Sequence, residues 1–147
     1  MRTLSIASLM VVAAVFPAHA SADGETMQTL NLLGRWAFDC TEPSGDDNAH
    51  ILYEVPANGV PTEHIMMGAG LDRVSTIAAV EKLTDGNVQW VQDDNDGGPK
   101  LTIVNVVEPS RLKTWRSTTA TGEVFIRDGR FASGGEAPWF YRCEARQ

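Results

Sequence analysis

The sequence predicts an all-β domain, a single antiparallel up-and-down barrel of eight or nine strands closed by a disulfide. Three observations carry that expectation. Turn formers recur at short intervals: Pro43-Ser44-Gly45-Asp46, Asn58-Gly59, Asp85-Gly86, Asp96-Gly97-Gly98, Thr121-Gly122, Asp128-Gly129 and Gly134-Gly135. The runs between them are brief and rich in Val, Ile, Thr and aromatics, the signature of a meander whose Asn-Gly and Asp-Gly pairs suit tight hairpins with positive φ. Finally, the two cysteines, Cys40 and Cys143, fall in the first and last of these runs.

Residues 1–20 read as a secretory signal peptide. Arg2 precedes a mostly apolar run over residues 4–16, broken only by Ser5 and Ser8, and Ala18-His19-Ala20 places small residues where a signal peptidase reads. The run is too short for a stable membrane-spanning helix, and no second one follows. The mature chain is expected to begin near Ser21 and to fold outside the cytosol, periplasmic or extracellular. The residue directly after the cleavage site is Ser21 and not a cysteine, so no lipoprotein anchor is expected. About 127 residues then remain, enough for one domain with a core of its own.

Residues 21–30 are polar and read as a flexible arm, leaving residues 31–147 for the barrel domain. Strands are expected over residues 33–40, 50–55, 62–68, 73–83, 87–93, 100–107, 111–118, 123–128 and 138–144. The fourth also fits an amphipathic helix through Val74, Ile77 and Ala78. The immediate Asp85-Gly86 turn into Val88-Gln89-Trp90-Val91 favours a hairpin strand, with Val74, Thr76, Ala78 and Val80 alternating. So many sequential antiparallel strands make either a barrel or a sandwich. Trp36, Phe38 and Cys40 share one face of the first strand, and Trp139, Tyr141 and Cys143 share one face of the last. Bonding the cysteines would join the terminal strands and remove exposed edges, which favours the barrel.

An even cysteine count in an exported chain reads as a disulfide. Its loop of about 100 residues is worth at most about 4.7 kcal/mol in the chain-entropy model. The bond also removes both thiols as nucleophiles or metal ligands.

Gly34-Arg35-Trp36 resembles the G-x-W signature of the lipocalin and wider calycin group of small secreted barrels. The resemblance implies that Trp36 closes one barrel end and that a basic residue of the last strand, Arg142 or Arg146, packs over it.

Charge narrows the partners. The chain has 12 basic and 19 acidic residues, a net −7 that becomes −8 once Arg2 is removed. That excludes a counterion-displacing nucleic-acid binder. Residues 21–99 hold 14 acids and 3 bases, whereas residues 100–147 hold 5 acids and 8 bases. Neutralisation across neighbouring strands accounts for this asymmetry as simply as opposed charged faces do.

The chemistry-bearing inventory is thin. Asp93-Asp94-Asn95-Asp96-Gly97-Gly98 concentrates oxygens, but a calcium loop registered on Gly97 would need an acid at Gln92 and a glutamate at Ile103. His50 and His64, near Glu54 and Glu63, lack a third and fourth converging ligand. Ser133-Gly134-Gly135 is no nucleophile elbow, and no glycine-rich phosphate loop is present. The domain is therefore expected to be a monomer without enzymatic activity, metal or cofactor.

The candidate ligand-binding residues are Trp36, Met66, Trp90 and Trp115, with Arg111, Lys113 and Arg127 as a cationic group near Arg116 and Arg130. Met66, Met67, Trp90, Ile103 and Val107 serve equally as core or as the wall of an apolar pocket, because eight-stranded barrels span the filled and the ligand-holding cases. The basic residues fit an anionic ligand, or an outward face pairing with Glu108, Glu123 and Asp128. The expected function is binding of a small apolar or amphipathic ligand. The alternative is a protein-directed inhibitor acting on a secreted partner through its loops or arm; a third is a structural role.

Overall fold

The computed structural model describes residues 21–68 and 71–144. The leader expected over residues 1–20 and the second basic candidate, Arg146, lie outside the described residues.

A helix α1 (Ala22–Thr29) precedes ten strands: β1 (Gly34–Ala37), β2 (His50–Glu54), β3 (Thr62–Met67), β4 (Leu71–Lys82), β5 (Val88–Asp93), β6 (Leu101–Val107), β7 (Arg111–Thr119), β8 (Val124–Arg127), β9 (Arg130–Phe131) and β10 (Phe140–Arg142). All pairings are antiparallel, and β1 through β7 follow one another in order. β10 pairs with β1 through Trp36↔Arg142 and with β7 through Phe140↔Leu112. The eight strands β1–β7 and β10 thus form a closed barrel. Cys40 and Cys143 are disulfide-bonded beside this seam, 103 residues apart in sequence with Cα atoms 5.3 Å apart.

The ring closes on part of β7 only. Leu112 and Arg111 pair with β10, while Ser117 and Thr118 pair with β8. β8 and β9 therefore form a hairpin that branches from the barrel without belonging to the ring. Its Asp128-Gly129 turn has φ of 50° and 71°, the double positive φ of the tight turns that follow strand twist. A side chain at Gly129 would stand 2.9 Å from Lys113 Cε and 3.2 Å from the Trp115 ring, so the turn lies directly on the outer face of β7.

Two expectations are corrected. Residues expected as a flexible arm form α1, whose N-cap is Ser21 accepting from the Gly24 amide at 3.2 Å. Met27 is fully buried, and the Asp23 carboxylate accepts from the amides of Ala79 and Val80 at 3.1 and 2.8 Å. Those amides belong to a bulge in β4, where Ala79 has φ of 54° and the register shifts between Ala78 and Glu81. The fourth segment is a strand, as expected, but its alternation is broken there. Val74 is 50% exposed, while Ile77 before the bulge and Val80 after it are both buried. One extra residue moves the following side chains to the opposite face. The short strand β9 was not anticipated.

α1 and the following turn plug one end of the barrel. Met27, Leu32, Trp36, Ile77, Val80, Val88 and Leu112 pack into a core there. Trp36 has no exposed surface, and its indole N–H donates to the Leu32 carbonyl at 2.9 Å. The Arg142 guanidinium lies 4.9 Å above that ring and donates to Asn31 O, Asn31 Oδ1 and Leu33 O at 2.6, 2.8 and 3.0 Å. Arg142 thus covers the buried Trp36 ring at this end of the barrel.

Candidate functional site

The other half of the barrel is hollow. Inward positions of β2–β7 and β10, with Phe38 just after β1, surround a cavity of about 320 Å³, near the lower bound of small-molecule sites at ~300–1,000 Å³. Phe38, Ile51, Ile65, Met67, Trp90, Leu101, Ile103 and Phe140 supply its apolar wall. Its rim includes Arg73 and, from the branching hairpin, Phe131, both partly open to solvent.

Set into this wall is a polar strip. Glu63, on β3, is only 5% exposed, and Tyr53 on β2 donates its hydroxyl to Glu63 Oε2 at 2.8 Å. Register makes these neighbours: Tyr53 pairs with Glu63, and Glu63 with Ser75. Ser75 donates to Asp94 Oδ1 at 2.5 Å and accepts from Gln92 Nε2 at 3.2 Å, while Arg73 bridges to Asp94 at 3.0 Å. Burial raises the Glu63 carboxyl above its ordinary range, opposed by the Tyr53 hydrogen bond and the charge of Arg73. Burial, then the neighbouring Glu63, raises the Tyr53 phenol well above its usual value, so it remains a donor.

Deeper, on β5 and β6, the wall presents donors. Trp90 is 1% exposed, packs edge-on against Tyr53 with centroids 5.7 Å apart, and its Nε1 has no partner among the described residues. Asn105, also 1% exposed, accepts at Oδ1 from Thr114 at 3.1 Å and leaves Nδ2 without a partner. Among the described residues Arg73 Nε is a third unpartnered buried donor on this cavity, and Thr62 Oγ1 a fourth unpartnered atom outside it.

No protein-family model, curated protein or solved structure matches this chain.

The structure separates the candidate residues. Trp90 lines the cavity, whereas Trp36 belongs to the plug at the closed end. Met66 pairs with His50 and lines an outer groove beside Cys40 and Cys143; its neighbour Met67 is the inward one. Arg111 and Lys113 are on the outer face of β7, stacked 4.1 and 5.7 Å from the Trp139 ring. Arg111 also holds Glu108 by two bonds of 2.7 and 3.0 Å, which lower the Glu108 carboxyl pKa. Trp115 lies on that outer face under Gly129, and Arg127 is exposed on the hairpin. The cationic group does not converge with the cavity.

The acidic run and the histidines have local partners. Asp93 binds Lys100 at 3.0 Å and accepts from the Asn95 amide, Asp96 accepts from the Gly98 amide, and Asp94 joins the cavity strip. His64 pairs with Asp72 on the outer face, and the His50 ring meets Asn48 at 3.1 Å.

Tyr53, Glu63, Arg73, Gln92, Asn105 and Thr114 were not singled out from the sequence. Their signal is weak, because a polar residue in a strand reads first as outward-facing. In β5 each alternating face holds a glutamine, Gln89 on one and Gln92 on the other.

Proposed function

We propose that the protein is an exported, non-enzymatic binding protein holding a small, mostly apolar ligand in the barrel cavity. The observation that carries this reading is the cavity itself, with Trp90 and aliphatic side chains in its wall and a rim open to solvent. Filled small barrels leave no such volume. The resemblance to the lipocalin group is supported by Trp36 beneath Arg142 at the closed end. Export is supported by the leader-like N-terminal residues and by the Cys40–Cys143 bond, a type of link that persists in oxidising compartments. No helix among the described residues is long and apolar enough to cross a membrane.

The packed α1 bears on the protein-directed alternative. Residues that a free inhibitory arm would present are buried at Met27 and tied to β4 by Asp23. An apolar ligand is favoured over an anionic one held by the basic group, since Arg111 already binds Glu108.

Tryptophan fluorescence tests the proposal. Titration with a neutral nitroaromatic should quench saturably, and Trp90→Phe should remove the saturable component while Trp115→Phe keeps it. Linear quenching shared by every variant would defeat the cavity reading.

A further inference from the structure

The donors in the cavity wall have a consequence for what fills it. Buried N–H groups in native proteins are nearly always paired, and one left without a partner costs as much as a lost hydrogen bond. Among the described residues Trp90 Nε1 and Asn105 Nδ2 are both unpartnered, both belong to residues only 1% exposed, and both residues line the same cavity. An indole offers a donor and no acceptor. The Asn105 amide is held with its oxygen toward Thr114, which commits its other end to donation.

The charges around the cavity set a second condition. Among the described residues the one basic side chain on the cavity, Arg73, is already bridged to Asp94. An incoming anion would lose its hydration in a dry, low-dielectric site with no free cation to replace it.

Resting on the binding reading above, we propose that the ligand is a neutral, largely apolar molecule carrying a hydrogen-bond acceptor, a carbonyl or ether oxygen, received by Trp90 Nε1 and Asn105 Nδ2. Its apolar body lies along Ile51, Ile103 and Phe140, and its polar atom points to the deep wall. A pure hydrocarbon leaves both donors unpaired, and a carboxylate finds the one nearby guanidinium, Arg73, already bridged to Asp94. Sites built to hydrogen-bond a ligand group discriminate strongly against analogues lacking it.

Three shape-matched probes test this: acetonaphthone, isopropenylnaphthalene and naphthoate, attached at the same ring position. They differ in presenting a neutral acceptor, no acceptor, or an anion. Calorimetric titration of the full mature protein should rank acetonaphthone first, by about tenfold over isopropenylnaphthalene, as expected for one satisfied buried donor. In Trp90→Phe that ratio should fall toward one. Independently of any variant's folding, the indole N–H resonance of Trp90 in the wild-type protein should move downfield with acetonaphthone and not with isopropenylnaphthalene.

Equal binding of all three probes overturns the acceptor inference and leaves the cavity reading standing. Tightest binding of naphthoate overturns it in favour of an anion. An unshifted Trp90 indole, or a preference that survives Trp90→Phe, overturns the assigned donors. Failure of all three probes to bind defeats the cavity reading with it.

Discussion

The two ends of this barrel are built from the same strands and differ in how completely they are finished. At the closed end the polar groups that hold the plug are partnered. The Trp36 indole has Leu32, Arg142 has three acceptors, and the bulge amides of β4 have Asp23. At the hollow end the wall combines a hydrogen-bonded acidic strip with donors that have no described partner. One end uses its polar groups to hold the chain, and the other leaves buried donors without a described partner on residues that line a cavity. A packed half and a hollow half therefore divide the barrel along its axis, with Tyr53 and Trp90 packed edge-on at the boundary.

Breaking the plug should give the largest effect. Trp36→Ala removes a fully buried ring from beneath Arg142, and equilibrium unfolding in urea should record a loss of about 3–5 kcal/mol. A loss under about 1 kcal/mol would mean that the closed end does not carry the stability assigned to it. Opening the seam comes next. Cys40→Ser frees a 103-residue loop in the unfolded chain and should lower stability by roughly 2–5 kcal/mol. The β1–β10 pairing survives in the folded state, so circular dichroism of the variant should keep the wild-type strand signal. Identical melting of the wild-type protein under oxidising and reducing conditions would remove the disulfide from the account.

The smallest change sharpens the hollow end. Burial raises the Glu63 carboxyl above its unfolded value, so the native state holds this proton over a pH range where the unfolded chain has released it. The associated stability is complete below the unfolded pKa of about 4.3 and is lost as pH rises through the folded pKa. Glu63→Gln keeps an oxygen for the Tyr53 hydroxyl and removes the titration. Its melting temperature should therefore exceed the wild type's by a few degrees at neutral pH, and the two should converge in acid. A variant less stable than wild type at neutral pH would show that Glu63 is ionised and held by Arg73.

The closed end was more legible than the hollow one. Gly34, Trp36 and the two cysteines declare themselves by residue type, and the turn pairs delimit strands to within a few residues. α1 escaped because Ala22–Thr29 carries a single large apolar residue, Met27, and no apolar stripe. It holds through its Ser21 cap and the contact of Asp23 with a bulge far along the chain, neither of which periodicity reports. The β4 bulge hid the inward face for the same reason, since Val74 and Val80 look alike in sequence and face opposite ways. The cavity strip was hidden by chemistry. Glu63, Ser75, Gln92 and Asn105 resemble solvent-facing strand residues until register places them opposite one another.

The branching of β8 and β9 from β7 separates two properties that a plain ring would couple. Closure of the barrel rests on Phe140 and Tyr141 meeting Leu112 and Arg111, upstream on β7 from the residues that hold the hairpin. Yet Ile126 and Phe131 of that hairpin border the cavity. The hairpin is thus a separate lip on a fixed cup: a change in its length or composition would reshape the mouth while leaving the seam, the plug and the disulfide as they are.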